Sequence, residues 1–68
     1  MGKRKNLIAL RNKAKLTQAE LAGKIGVTER QYQNIEAGTS YGSIRVWIQL
    51  KGLLHAKSID WLLEQSED

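Results

Sequence analysis

Apolar positions recur along this chain with the period of a helix rather than of a strand, and they divide it into five segments. In the first, Leu7, Leu10, Arg11 and Ala14 keep the i, i+3, i+4, i+7 spacing, which predicts a helix from about Asn6 to Lys15 with Arg11 embedded in its apolar face. In the second, Leu21, Ala22 and Ile25 predict a helix from Gln18 to about Ile25. In the third, Tyr32 and Ile35 fall together and must face the core of a helix from Glu29 to about Ala37. The fourth runs from Ser43 to about Leu54 with a stripe of Val46, Trp47, Leu50, Leu53 and Leu54, and Ile44 and Ile48 lie beyond its other side. The last starts at Ser58 and carries Ile59, Trp61, Leu62 and Leu63, with Asp60 placed to suit the dipole of its first turn. There is no proline to interrupt any of these. The expected architecture is all-α, a compact bundle of five short helices.

The second and third helices have the most explicit boundaries. Thr17-Gln18-Ala19-Glu20 fits a capping box, in which the Thr hydroxyl caps the third helical amide and the Glu reaches back. Leu16 and Leu21 flank it at the spacing of a hydrophobic staple. Thr28-Glu29-Arg30-Gln31 repeats the arrangement, stapled by Val27 and Tyr32. Gly26 and Gly38 stand where these two helices must stop, because glycine accepts the left-handed conformation of a C-cap. Two short helices joined by a glycine turn make a helix-turn-helix.

Thr17-Gln18-x-x-Leu21-Ala22, Gly26-Val27-Thr28 and Ile35-Glu36-x-Gly38 together resemble the helix-turn-helix domain of the lambdoid phage repressors and Cro proteins, the Xre-like family. Asp60-Trp61-Leu62-Leu63 resembles that family's last helix. The resemblance implies a lambda-repressor-like fold and sequence-specific binding of double-stranded DNA. It also implies that Arg11 pairs with Glu36; otherwise Arg11 would have to snorkel to solvent. By the same resemblance Gln18 touches the DNA backbone and supports the recognition helix. The connection His55-Ala56-Lys57 departs from the family's shorter Gly-Val.

The face of the third helix opposite Tyr32 and Ile35 presents Glu29, Arg30, Gln33, Asn34 and small Ala37 over an arc of roughly 140°. These are side chains that read base edges. Arg bonds guanine bidentately, Asn and Gln do the same to adenine, and Glu accepts from cytosine. Glu29, Arg30, Gln33 and Asn34 are therefore the expected base readers, Glu29 acting against wrong sequences or simply pairing with Arg30. Thr17, Gln18 and Thr28 at the two helix starts, with Ser40, Tyr41 and Arg45 after the third helix, are the expected backbone contacts. Free amides and the positive end of a helix dipole favour phosphate. Tyr41 could equally serve packing.

Charge strengthens this picture. The formal net charge is +4, but residues 1–51 hold ten Lys/Arg against three acids, while residues 52–68 hold Lys57 against four. A basic part that contains the helix-turn-helix is the footprint of phosphate contact. Residues 1–5 read as a basic arm, either a loose tail or a non-specific grip on DNA; residues 6–65 form the domain, and residues 66–68 an acidic tail. With no cysteine there is neither a disulfide nor a thiolate metal site, and the one histidine, His55, has nothing to join it. No nucleophile–base pair or glycine-rich phosphate loop is visible, so no enzyme, cofactor or small-molecule ligand is expected. The apolar run near the start is too short for a signal peptide or a membrane span, which points to a cytoplasmic protein.

The apolar arc of the fourth helix spans roughly 220°, wider than one core-facing stripe requires. Ile44 and Ile48, with Ile59 at the start of the last helix, are the expected contacts of a weak homodimer completed on DNA. The alternative is a protein-interaction module, such as an antitoxin or anti-repressor, that holds a partner on the same face.

Overall fold

Four of the five helices begin at a hydroxyl that accepts the amide three residues on, as expected where serine or threonine meets a first turn. The computed structural model describes residues 2–66; Met1 of the expected arm and Glu67 and Asp68 of the expected acidic tail lie outside them. The helices are α1 Lys5–Lys13, α2 Gln18–Ile25, α3 Glu29–Ala37, α4 Ile44–Leu54 and α5 Ile59–Leu63. Thr17, Thr28, Ser43 and Ser58 are the caps of α2 to α5, and the first two complete full capping boxes with Glu20 and Gln31. Gly26 and Gly38 end α2 and α3 in the left-handed conformation, with φ of 79° and 82°.

α2 packs chiefly on α3, α1 on α3 and α5, and α4 on α2 and α5. Leu7, Leu21, Tyr32, Leu50 and Leu62, one from each helix, are completely buried, and Ala22, Ile25, Ile35, Val46, Trp47, Leu54 and Ala56 close the core around them. Small Ala22 lets α2 approach its neighbours closely.

Several expectations need correction. α1 ends at Lys13 rather than Lys15, because Lys15 turns the chain with φ of 61°. Ala14 and Leu53 are not core residues: both are exposed, on the rim of a groove between the C-terminal ends of α1 and α4. Ile59, one of the expected dimer contacts, packs partly against the core of its own chain and keeps the rest of its surface exposed.

The largest correction concerns the basic arm. Residues 2–4 are a strap laid between the C-terminal end of α3 and the residues that follow α5. The Arg4 amide donates to the Glu36 carbonyl (2.9 Å) and the Ser66 amide to the Lys3 carbonyl (2.9 Å). The Gln65 side-chain amide donates to the carbonyls of both Gly2 (3.1 Å) and Gly38 (3.0 Å). The Arg4 side chain is inside the protein, 1% exposed. Lys3 and Lys5 beside it are exposed.

Two substitutions should stabilise this fold without touching its core. Gly52 is helical and exposed, and a Cβ there would meet nothing within 4 Å, so Gly52→Ala should gain about 1 kcal/mol. His55 caps α4 in the left-handed conformation with φ of 55°, and His55→Gly should gain a similar amount, on the order of 1 kcal/mol, by removing that strain. Urea denaturation of each variant is the check; a loss at position 55 would mean that the imidazole contributes more than its backbone costs.

Candidate nucleic-acid interface

The outward side of α3 is set by what its inward side must do. Tyr32, Ile35 and Glu36 are buried, so Glu29, Arg30, Gln33, Asn34 and Ala37 are turned to solvent, and all five are exposed. At the neighbouring start of α2, the first main-chain bond runs from the Leu21 amide to the Thr17 carbonyl, and the Glu20 amide goes to the Thr17 hydroxyl. The amides of Gln18 and Ala19 are left pointing out of the helix end, available to an acceptor. The hydroxyls of Thr17 and Thr28 accept one amide each and keep their own protons to donate.

Glu36 locks these two helices together from below. Its carboxylate accepts from Arg11 Nε (2.5 Å), Arg11 Nη2 (3.4 Å), the Tyr32 hydroxyl (2.6 Å) and Gln18 Nε2 (2.9 Å). Arg11 also donates to the Leu16 carbonyl before α2 (2.9 Å). The pair is well shielded, with side-chain exposures of 13% for Arg11 and 5% for Glu36. The bond to Glu36 holds the Arg11 guanidinium above its usual value against the opposing effect of burial. Burial first, and then the bond to Glu36, push the Tyr32 phenol up, so it stays a donor. Arg11 of α1, Gln18 of α2 and two residues of α3 thus meet at one carboxylate.

Gln18 also accepts from Gln33 Nε2 at 3.4 Å, so its amide links the buried carboxylate to the exposed face of α3. A notch of about 120 Å³ opens at this seam, lined by Lys3, Ile8, Gln18, Gln33, Glu36 and Ala37. It brings Lys3 of the strap beside α3, although 30 residues separate Lys3 from Gln33 in the chain. Beyond α3, Ser40 is half-buried, Tyr41 is 72% exposed, and Arg45 is exposed in the first turn of α4.

The basic excess survives the folding of two arginines inward. Arg11 is neutralised by Glu36 and Arg4 is buried, yet eight cations within residues 1–51 are exposed against two exposed acids, Glu20 and Glu29. Among the described residues no group of three His, Cys, Asp or Glu could hold a metal, and no helix is long and apolar enough to cross a membrane.

The family described as Helix-turn-helix matches residues 7–62, from α1 through α5. The chain belongs to this helix-turn-helix family, of the Cro/C1 type. No curated protein and no solved structure matches it. The family is one of DNA-binding transcription regulators rather than of enzymes, and the five-helix architecture is consistent with its lambda-repressor-like fold. α2 and α3 are the two helices of the motif. The helix-turn-helix signature accounts for Gln18, Arg11 and Glu36, but not for Lys3, Arg4, Tyr32 or Gln65. For Arg4 a signal was available: it lies three residues before Leu7 and seven before Arg11, on the α1 stripe continued backwards.

Proposed function

We propose that this protein is a transcriptional regulator of the repressor/Cro type that binds a pseudo-palindromic operator as a homodimer. One observation carries the reading: Glu29, Arg30, Gln33 and Asn34 form an exposed polar face on a helix whose opposite side is bolted to α1 and α2 through Glu36. A rigid helix that presents donors and acceptors of this kind suits the major groove. Glu29, Arg30, Gln33 and Asn34 read bases; Thr17, Gln18, Thr28, Ser40, Tyr41 and Arg45 hold the backbone and set the register. On this reading the protein acts at the nucleoid, in the cytoplasm.

Size argues for two copies. The domain measures 28 × 24 × 23 Å, less than the roughly 34–36 Å between the centres of successive half-sites on one face of DNA. A single copy covers one half-site. Ile44 and Ile48, one turn apart on α4, are 67% and 59% exposed and are the surface on which the two copies meet. That same exposure favours the second reading, a protein-interaction module with a different partner seated on α4. Sedimentation with and without duplex separates the two. Two copies per duplex, lost in Ile48→Asp, supports the regulator; a monomer indifferent to duplex supports the interaction module.

A further inference from the structure

The loop between α3 and α4 is held mainly from outside; within it the Gly42 amide donates to the Ser40 hydroxyl at 3.3 Å. It contains only residues 38–43, and side chains from elsewhere take its central carbonyls. Arg4 Nη1 donates to the Ser40 carbonyl at 2.6 Å, and the Trp47 indole donates to the Tyr41 carbonyl at 2.5 Å. The same Arg4 nitrogen donates to the Ile35 carbonyl at 2.6 Å, in the last turn of α3. The guanidinium carbon is 5.2 Å from the ring centres of both Tyr41 and Trp47. Tyr41 therefore rests on Arg4 while much of its ring stays exposed, and Arg4 ties the end of α3, the loop and the start of α4 to the strap.

A buried cation is costly unless its donors are used; Nη1 is used twice, the two rings face the guanidinium, and Nε is left without a hydrogen-bond partner among the described residues. A planar guanidinium can bond two carbonyls and face two rings at once; a lysine ammonium cannot do all of this.

We propose that Arg4 is a positioning residue of the duplex-binding surface, which holds Ser40 and Tyr41 where they meet the DNA backbone without touching DNA itself. This rests on the DNA-binding reading above. Arg4 acts on register through the loop, in the way that Glu36 acts through Gln18. Being interior, it adds nothing to the counterions released when the surface meets phosphate.

The test uses Arg4→Lys and Arg4→Met, with binding expressed per folded molecule after thermal melts have fixed the folded fraction. In the free protein, both variants should shift the Trp47 indole N–H resonance and the Ser40 and Tyr41 amides, with the Trp61 indole as reference. With duplex, Arg4→Met should weaken binding about tenfold or more, and Arg4→Lys by less. The loss should be equal on specific and scrambled duplexes, because backbone contacts carry no sequence information. Adding Tyr41→Ala to Arg4→Met should cost nothing further, and the salt slope should stay that of the wild type. Unchanged binding by the folded variants would reduce Arg4 to a core residue and overturn the proposal. So would a salt slope lowered by about one, the mark of a direct phosphate contact. A wild-type protein that binds no duplex at any salt overturns both this proposal and the DNA reading; the other two failures leave wild-type binding intact.

Discussion

Replacing Glu36 with alanine should cost the domain about 3–5 kcal/mol, the range for breaking a shielded ion pair. Against a total of roughly 5–15 kcal/mol for a small domain, that is enough to leave much of the protein unfolded near 37 °C. The change strands three donors at once: the Arg11 guanidinium, the Tyr32 hydroxyl and the Gln18 amide all lose their acceptor. Among the described residues only Arg11 donates elsewhere, to the Leu16 carbonyl, while Gln18 keeps the bond it accepts from Gln33. Arg11→Ala should be milder, because the carboxylate keeps Tyr32 and Gln18 as donors. Thermal melts of both variants and of the double mutant check this. Since about 1 kcal/mol moves the midpoint of a domain this size by roughly 4–8 °C, Glu36→Ala should fall by more than about 12 °C. The double mutant should lie well short of the sum. Strictly additive losses, or a larger loss for Arg11→Ala, would show that Glu36 is not the hub of this network.

The second large effect concerns the exposed face of α3. Arg30 and Asn34, one turn apart and both turned to solvent, match the bidentate base contacts of a recognition helix. Changing either to alanine should cost about 1–3 kcal/mol on the specific site and much less on scrambled DNA. Arg45→Ala should weaken both duplexes alike and lower the slope of log affinity against log salt by about one. Gln18→Ala should weaken both as well, and more than one phosphate bond explains, because Gln18 also links Glu36 to Gln33. Titrations of each variant against both duplexes at several salt concentrations separate these roles. An Arg30→Ala variant that loses equally on both duplexes and flattens the salt slope is a backbone clamp, and the base-reading role falls.

How much of this could be read in the sequence follows from how locally each feature is encoded. α2 and α3 run over the residues expected, because a capping box starts each and a glycine stops each, all within one turn of the boundary they set. The Arg11–Glu36 contact joins residues 25 apart, and the family resemblance, not spacing, pointed to it. The end of α1 is hidden in the sequence because Lys15 makes a left-handed turn without the glycine that would announce it. Leu53 shows the limit of periodicity, which places a residue on a stripe but does not say how far a neighbouring helix extends over that stripe. Arg4 is the clearest case. A basic residue between Lys3 and Lys5 reads as solvated tail unless the α1 stripe is continued back to it, and even then only the fold shows that Ile35, Ser40, Tyr41 and Trp47 surround it. The same holds for Gln65, whose side-chain amide reaches the cap of α3 from the far end of the chain.

Selection of bound duplexes from a random pool asks whether the exposed face of α3 reads a DNA sequence. Base reading by α3 should enrich a pseudo-palindrome whose half-sites lie about 10–10.5 base pairs apart, bound at least about 10³-fold more tightly than scrambled duplex at physiological salt. A pool that stays random after repeated rounds, while the protein still binds duplex, would contradict it.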